Sequence, residues 1–410
     1  MKFRHHQLSN GLTIIAECND AAYSTSLAFF VRTGSRDETP EISGVSHFLE
    51  HMVFKGTPRR SAADVNRELD ELGSQSNAFT SEEQTVYYAT VLPEYQDQIV
   101  DLLADIMRPS LREDDFEMEK QVIIEEIYKY DDQPPFGAHE KCMEAWFGDH
   151  TLAYNVLGNV DSVGGLTPQA MRGYFEKRYS PGNITLTACG NVDFDQLVAS
   201  AEQHCGNWQP FTTARATPPV DGNAGRKHIA KESTHQQYAV QISSGPSATD
   251  PLRFAARLLA YALGDDSGSR MYWNLVDPGL AEYAGASSYE FDGTGILMSY
   301  LCCAPGDAEA NLERMDLIQK EADESAITQS ELDLVKSKVC SQIVRRSERP
   351  SSRLFAVGNN WLQRQNYTSV KEAIEAYQAV ALADIHQVLE AHPLSRTMTV
   401  SVGPSAAAGG

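Results

Sequence analysis

The chain has little of what marks several familiar protein classes. Its 410 residues include seven cysteines, an odd number with no C-x-x-C pair. A disulfide framework is therefore not the organising device, and a reducing compartment is the simpler setting, which predicts a cytoplasmic protein. Apolar runs are short. Ser26–Val31 (SLAFFV) falls far below the roughly 20 residues that a membrane-spanning helix requires, so no membrane association is expected. The opening residues, MKFRHHQLSNGLTIIAE, enter strand-like sequence at once, without the apolar segment and small-residue cleavage site of a secretory signal. Positive charge is also scarce: 34 Lys and Arg stand against 56 Asp and Glu, a net charge of -22. Nucleic-acid binding needs a basic footprint, and this balance argues against it. Such acidity suits either the attraction of cationic peptides or plain solubility.

What is present is a globular composition, 42% hydrophobic and 22% charged, in a chain too long for one ordinary core. Asn10-Gly11 between two strand-like runs carries the signal of a two-residue hairpin turn. Helical periodicity covers Gly44–Lys55, Ser61–Leu72, Glu94–Met107 and Arg112 to about Tyr130, the last stopped by Pro134-Pro135. Thr85–Leu92 and Asn183–Gly190 read as strands. The second half repeats this order loosely, with strands at Gln237–Ser243, Leu297–Cys303 and Arg396–Val402. Its helices are expected at Pro251–Leu263, Asp307–Glu324, Gln329–Arg346 and Val370–Leu389. The expected fold is α+β, in two homologous domains of about 200 residues, each a mostly antiparallel sheet packed with helices. The first domain is expected at residues 1–208 and the second at 228–403. A Pro-, Thr- and Gly-rich linker at 209–227 joins them, and a small-residue tail at 404–410 is expected to be disordered.

Within Gly44–Gly56 (GVSHFLEHMVFKG), His47, Glu50 and His51 form H-x-x-E-H. On a helix, positions i and i+4 share a face, so both imidazoles reach one ion while Glu50 projects beside them. Zinc takes such nitrogen and carboxylate ligands and, in a catalytic site, keeps one position for water, whose proton a nearby carboxylate accepts. Glu50 is the natural base. A helix whose histidines simply bond to backbone or water would carry the same string. A third ligand must come from elsewhere, and the helix from Arg112 offers Glu119, Glu125 and Glu126. Glu119 and Glu126 lie seven apart on one face with Val122 and Ile123 between them. Glu125 instead neighbours Met118, Gln121, Lys129 and Asp132, a mostly polar surface. A carboxylate on an apolar face needs a cation or donors, which selects Glu126 as ligand and Glu119 as a supporting carboxylate.

HFLEH followed by EKQVIIEEI, together with SNAFTSEEQTVYYATVL at Ser76–Leu92 and YSPGNITLTACGNVD at Tyr179–Asp193, resembles the pitrilysin and mitochondrial processing peptidase family, the inverzincins. The resemblance extends across the chain. It implies a zinc-dependent endopeptidase with the ion on His47, His51 and Glu126, Glu50 as base and Glu119 in support. It further implies that Asn77 and Ala78 bind extended substrate backbone by strand addition. Phe79 lies at the same edge, where it is either a substrate contact or a core aromatic. Such a unit is half of a clamshell-like chamber, paired as a homodimer or with a related subunit, and admits unfolded peptides or presequences. Many relatives carry an Arg and a Tyr seven residues apart to hold substrate; here Leu275 and Glu282 occupy those places in NLVDPGLAEY. Arg270 and Tyr283 stand nearby at the wrong spacing, Arg270 read as a helix anchor and Tyr283 as a packed strand residue. The departure favours a partner that carries the pair. The alternative is a non-catalytic structural or peptide-binding subunit of the same family.

Overall fold

The computed structural model describes residues 1–218 and 220–405. Six strands form in the first half: β1 (Lys2–Gln7), β2 (Thr13–Cys18), β3 (Thr25–Val31), β4 (Gln75–Thr80), β5 (Thr85–Val91) and β6 (Ile184–Gly190), with β3 and β6 buried along their whole length and rich in β-branched and aromatic residues. Five follow in the second: β7 (Gly225–Ala230), β8 (Gln237–Gly245), β9 (Tyr283–Phe291), β10 (Thr294–Cys303) and β11 (Met398–Gly403). They form two sheets, ordered β1-β2-β6-β3-β5-β4 and β7-β11-β8-β10-β9. In the first, β6 runs parallel to β2 and antiparallel to β3. In the second, β11 runs parallel to β7 and antiparallel to β8. The late strand of each half thus inserts between two early ones, and the repeat expected from sequence is a repeat of topology. β4 ends the first sheet as β9 ends the second, so β4 pairs only with β5.

The chain divides into two units whose segments are exchanged. The first comprises Met1–Tyr128, Tyr154–Ala216 and Arg345–Thr368; the second comprises Lys129–Ala153, Thr217–Val344 and Ser369–Gly410. The contiguous spans 1–208 and 228–403 miss this exchange. Its reason is burial on both faces of each sheet. In the first unit, α1 (Val45–Val53), α2 (Ala62–Glu71), α3 (Gln96–Ile106) and α4 (Glu113–Asp132), the last through Tyr128, enter one large core. The other face of that sheet, with Ile15, Ala28, Phe30, Val86 and Cys189, is covered by Leu354, Val357 and Leu362 of helix Pro350–Arg364. In the second unit, Cys142, Met143, Trp146 and Phe147 of α5 (Ala138–Phe147) cover Val240, Ile242, Met298 and Val400.

Several local expectations need correction. β1 and β2 are joined by a five-residue loop, Leu8 N–H donating to Leu12 O at 2.9 Å, in place of a two-residue turn. Asn10 has no positive φ; its side chain accepts from Leu12 N–H and donates to Cys205 O. The helix expected over Val370–Leu389 is two, Val370–Ala379 and Leu382–Ala391, because Asp384 accepts from Ala381 N–H and starts a new helix there. Of the expected linker, residue 219 lies outside the described residues, Gly225 already begins β7, and Arg215 is pinned in the first unit. Its guanidinium donates to both Asp37 oxygens, at 3.0 and 2.6 Å. Of the expected tail, residues 406–410 lie outside the described residues, and Ser405 N–H donates to Glu232.

Candidate metal centre

α1 begins at a position only glycine suits. Gly44 has φ +91°, and a Cβ there would stand 2.7 Å from Leu157 O. Its N–H and that of Ser46 donate to the two oxygens of buried Glu38, at 2.7 and 2.8 Å, so a carboxylate satisfies the free donors at the helix start. Burial pushes the Glu38 carboxyl up to about 8. Val45, Phe48, Leu49, Met52 and Val53 bury one side of α1. Phe48 stacks on Phe116 of α4 with ring centroids 4.4 Å apart, which brings the two site-bearing helices together.

On the remaining face of α1, the His47 and His51 rings lie 4.6 Å apart. Their Nε2 atoms stand 3.8 and 3.6 Å from Glu126 Oε2. Glu126 and Glu119 both project from α4, but Glu119 is only 4% exposed and takes a different task. Its Oε1 accepts from His51 Nδ1 at 2.8 Å and its Oε2 pairs with Lys55 Nζ at 2.5 Å. Glu125 is exposed, as its polar surroundings predicted. Val122 is exposed as well, at 47%, so the apolar face that accompanies Glu119 consists of Ile123 and Ile127 instead.

The donor set fits zinc. A tetrahedral ion with ligand distances of about 2.0–2.1 Å separates its ligand atoms by about 3.4 Å, and the two Nε2–Oε2 separations are within a few tenths of that. Among the described residues, His47, His51 and Glu126 are the one group of His, Cys, Asp and Glu with such convergence. Burial, with the neighbouring His51 adding to it, lowers His47 to about 3, so its imidazole is neutral with a lone pair to give. Burial also opposes charge on His51, but the hydrogen bond to Glu119 and the carboxylates of Glu126, Glu119 and Glu50 outweigh it and raise that group. Burial likewise opposes charge on Glu119, and the bonds from His51 and Lys55 outweigh it, holding the carboxyl below its usual range.

Glu50 is half-buried beside these groups, and burial raises its carboxyl. Thr80 Oγ1, at the end of β4, donates to Glu50 Oε2 at 2.7 Å. Sequence reasoning passed over both Lys55 and Thr80. Lys55, four residues after His51, was visible in principle as a helix neighbour, whereas nothing in the string aims Thr80 at Glu50. Asn77 and Ala78 lie on the free edge β4, Asn77 exposed and Ala78 half-buried. Asn77 Oδ1 accepts from Ala78 N–H at 2.9 Å. Phe79 packs its ring on Phe355 with centroids 5.9 Å apart, on the helix-covered side of the sheet.

In the second unit, Leu275 is fully buried and Glu282 accepts from Gln236 Nε2. Arg270 donates to Glu331 at 2.7 and 3.0 Å and to Ala326 O at 3.0 Å, an anchor between helices. Tyr283 begins β9 and is 45% exposed, so it is a strand residue but not a packed one.

Residues 13–160 match the family model described as insulinase (peptidase family M16), and residues 165–339 match that of the peptidase M16 inactive domain. An uncharacterized zinc protease of Mycobacterium tuberculosis is 31% identical over 98% of this chain and 93% of its own length. An uncharacterized zinc protease of Bacillus subtilis is 30% identical over 93% of this chain and 94% of its own. A protease from Helicobacter pylori has the same fold, with a TM-score of 0.92 at 21% identity over 98% of this chain and 99% of that one.

Proposed function

The chain belongs to the insulinase family of peptidases, family M16, and from that premise we propose that it is a zinc-dependent endopeptidase acting on unfolded peptides or presequences. The observation that carries this reading is the convergence of His47 Nε2, His51 Nε2 and Glu126 Oε2 beside Glu50. These three residues would hold the zinc. The ion, when bound, supplies Lewis acidity that makes water nucleophilic near neutral pH. Glu50 accepts the proton of the attacking water and returns it to the leaving amide nitrogen. Burial by itself favours the protonated form of the Glu50 carboxyl. Thr80 holds Oε2, which leaves Oε1 as the oxygen for proton transfer. Glu119 holds the His51 ring through Nδ1, fixing Nε2 as the ligand atom.

Substrate would add as a strand on β4, meeting the backbone of Asn77 and Ala78. The side chain of Asn77 already occupies Ala78 N–H, so it must turn aside for a substrate carbonyl. The packing of Phe79 on Phe355 favours a structural role for that ring.

Fully buried Leu275 and engaged Glu282 supply no substrate clamp. A second subunit, a copy of this chain or a relative carrying an Arg/Tyr pair, would supply it and close the chamber. The seven cysteines are all unpaired, in keeping with a reducing, cytoplasmic setting, and no helix among the described residues is long and apolar enough to cross a membrane. The same departure at Leu275 and Glu282 favours a second reading, a subunit that binds peptide without cutting it. Incubation with a peptide library, alone and with a candidate partner, separates the two. Cleavage that vanishes with chelator and in Glu50→Gln, while that variant still binds zinc, supports the enzyme. Cleavage that survives Glu50→Gln removes Glu50 as the base.

A further inference from the structure

Lys55 lies just beyond the last turn of α1, and Lys55 and Gly56 are tied at three points to α4 and the segment leading into it. Its Nζ meets Glu119 Oε2 at 2.5 Å. Its carbonyl accepts from Arg112 Nη2 at 2.5 Å. The carbonyl of the next residue, Gly56, accepts from Ser110 N–H at 3.0 Å. The lysine is therefore held at both backbone and ammonium ends, unlike a surface lysine free to swing. Its partner Glu119 is nearly inaccessible to water, and a buried carboxylate with one donor is under-satisfied. Each of its oxygens has one partner here, His51 Nδ1 on Oε1 and Lys55 Nζ on Oε2.

We propose that Lys55 is a positioning residue of the zinc site, acting through Glu119 to fix the ring of His51. This rests on the reading of His47, His51 and Glu126 as zinc ligands. The ammonium clamps Oε2, so the carboxylate cannot rotate and Oε1 stays aimed at His51 Nδ1–H. The imidazole then keeps the tautomer whose Nε2 lone pair faces Glu126. Partners one bond removed from a metal commonly change affinity by about 10- to 100-fold. Lys55, one step further out, acts only as far as Glu119 transmits it.

The test is zinc affinity by competition with a chromophoric chelator, on the full-length chain. Lys55→Met is expected to weaken zinc binding by about 10-fold and Lys55→Arg to recover most of the loss. Glu119→Gln should weaken it at least as much, and the double variant Lys55→Met/Glu119→Gln no further than Glu119→Gln alone. That non-additivity distinguishes relay through Glu119 from general stabilisation, which would leave affinity unchanged or add independently. Lys55→Met with wild-type affinity overturns the inference, as does an additive double variant. A wild-type chain that takes up no zinc overturns the zinc reading itself, and the inference with it.

Discussion

Arg353→Met probes whether helix Pro350–Arg364 belongs to the first unit. Arg353 sends Nε and Nη2 to the two oxygens of Glu17 on β2, at 2.7 and 2.5 Å. Tyr367 OH adds a third donor at 2.6 Å. Glu17 is 2% exposed and Arg353 7%. Deleting the guanidinium strands a buried carboxylate with a single phenolic donor, a loss of about 3–5 kcal/mol. For a unit of this size each kcal/mol is worth about 2–4 °C, so the melting temperature should fall by roughly 6–20 °C. The double variant Glu17→Met/Arg353→Met should regain most of that, because its side chains would join Ile15 and Leu354 in an apolar layer. Urea and thermal unfolding at neutral pH, on wild type, both single variants and the double, give the coupling energy. Arg353→Met within about 1 kcal/mol of wild type, or a double variant no better than the singles, would refute the placement of this helix.

Other consequences follow from the same packing. Gly358 faces the Phe30 ring, where a Cβ would stand 2.2 Å from Cζ; Gly358→Ala should cost about 1–3 kcal/mol by urea unfolding, against no change for Gly306→Ala, which meets open space. Arg215→Ala removes two charged hydrogen bonds to Asp37, while Arg178 still pairs with it at 2.7 Å. The expected loss is about 2–3 kcal/mol, with faster proteolysis of 209–218 as the second readout. Burial raises the Glu331 carboxyl, but bonds from Arg270 and Thr328 outweigh it and hold it at about 2, against an ordinary 4.5. A depressed carboxyl stabilises the fold above its ordinary value and loses that contribution as pH falls toward 2. The Tm deficit of Glu331→Gln should therefore be full at pH 7 and close between about pH 4.5 and 2; a deficit constant with pH would contradict it.

Local chemistry made much of this legible. Ser61 caps α2 through Asp64 N–H, α4 runs to just before Pro134-Pro135, and H-x-x-E-H falls on a helix because apolar residues interleave it. Heptad spacing placed Glu119 and Glu126 together, and the structure separates them by burial, with Glu119 in the interior and Glu126 half-buried. What stayed hidden depends on distant chain. The exchange of α5 and helix Pro350–Arg364 leaves no mark on local periodicity, since an amphipathic stripe does not say which sheet it covers. The same holds for Thr80 meeting Glu50 across thirty residues. Val122 misled because an apolar residue between two glutamates is taken to share their buried side.

The central claim is that His47, His51 and Glu126 form a zinc site, and metal analysis of the purified chain tests it most directly. After zinc loading and desalting, wild type should retain about one ion per chain, and His47→Ala, still folded by circular dichroism, should retain almost none. Substoichiometric zinc in the wild type, or unchanged zinc in His47→Ala, would contradict the account.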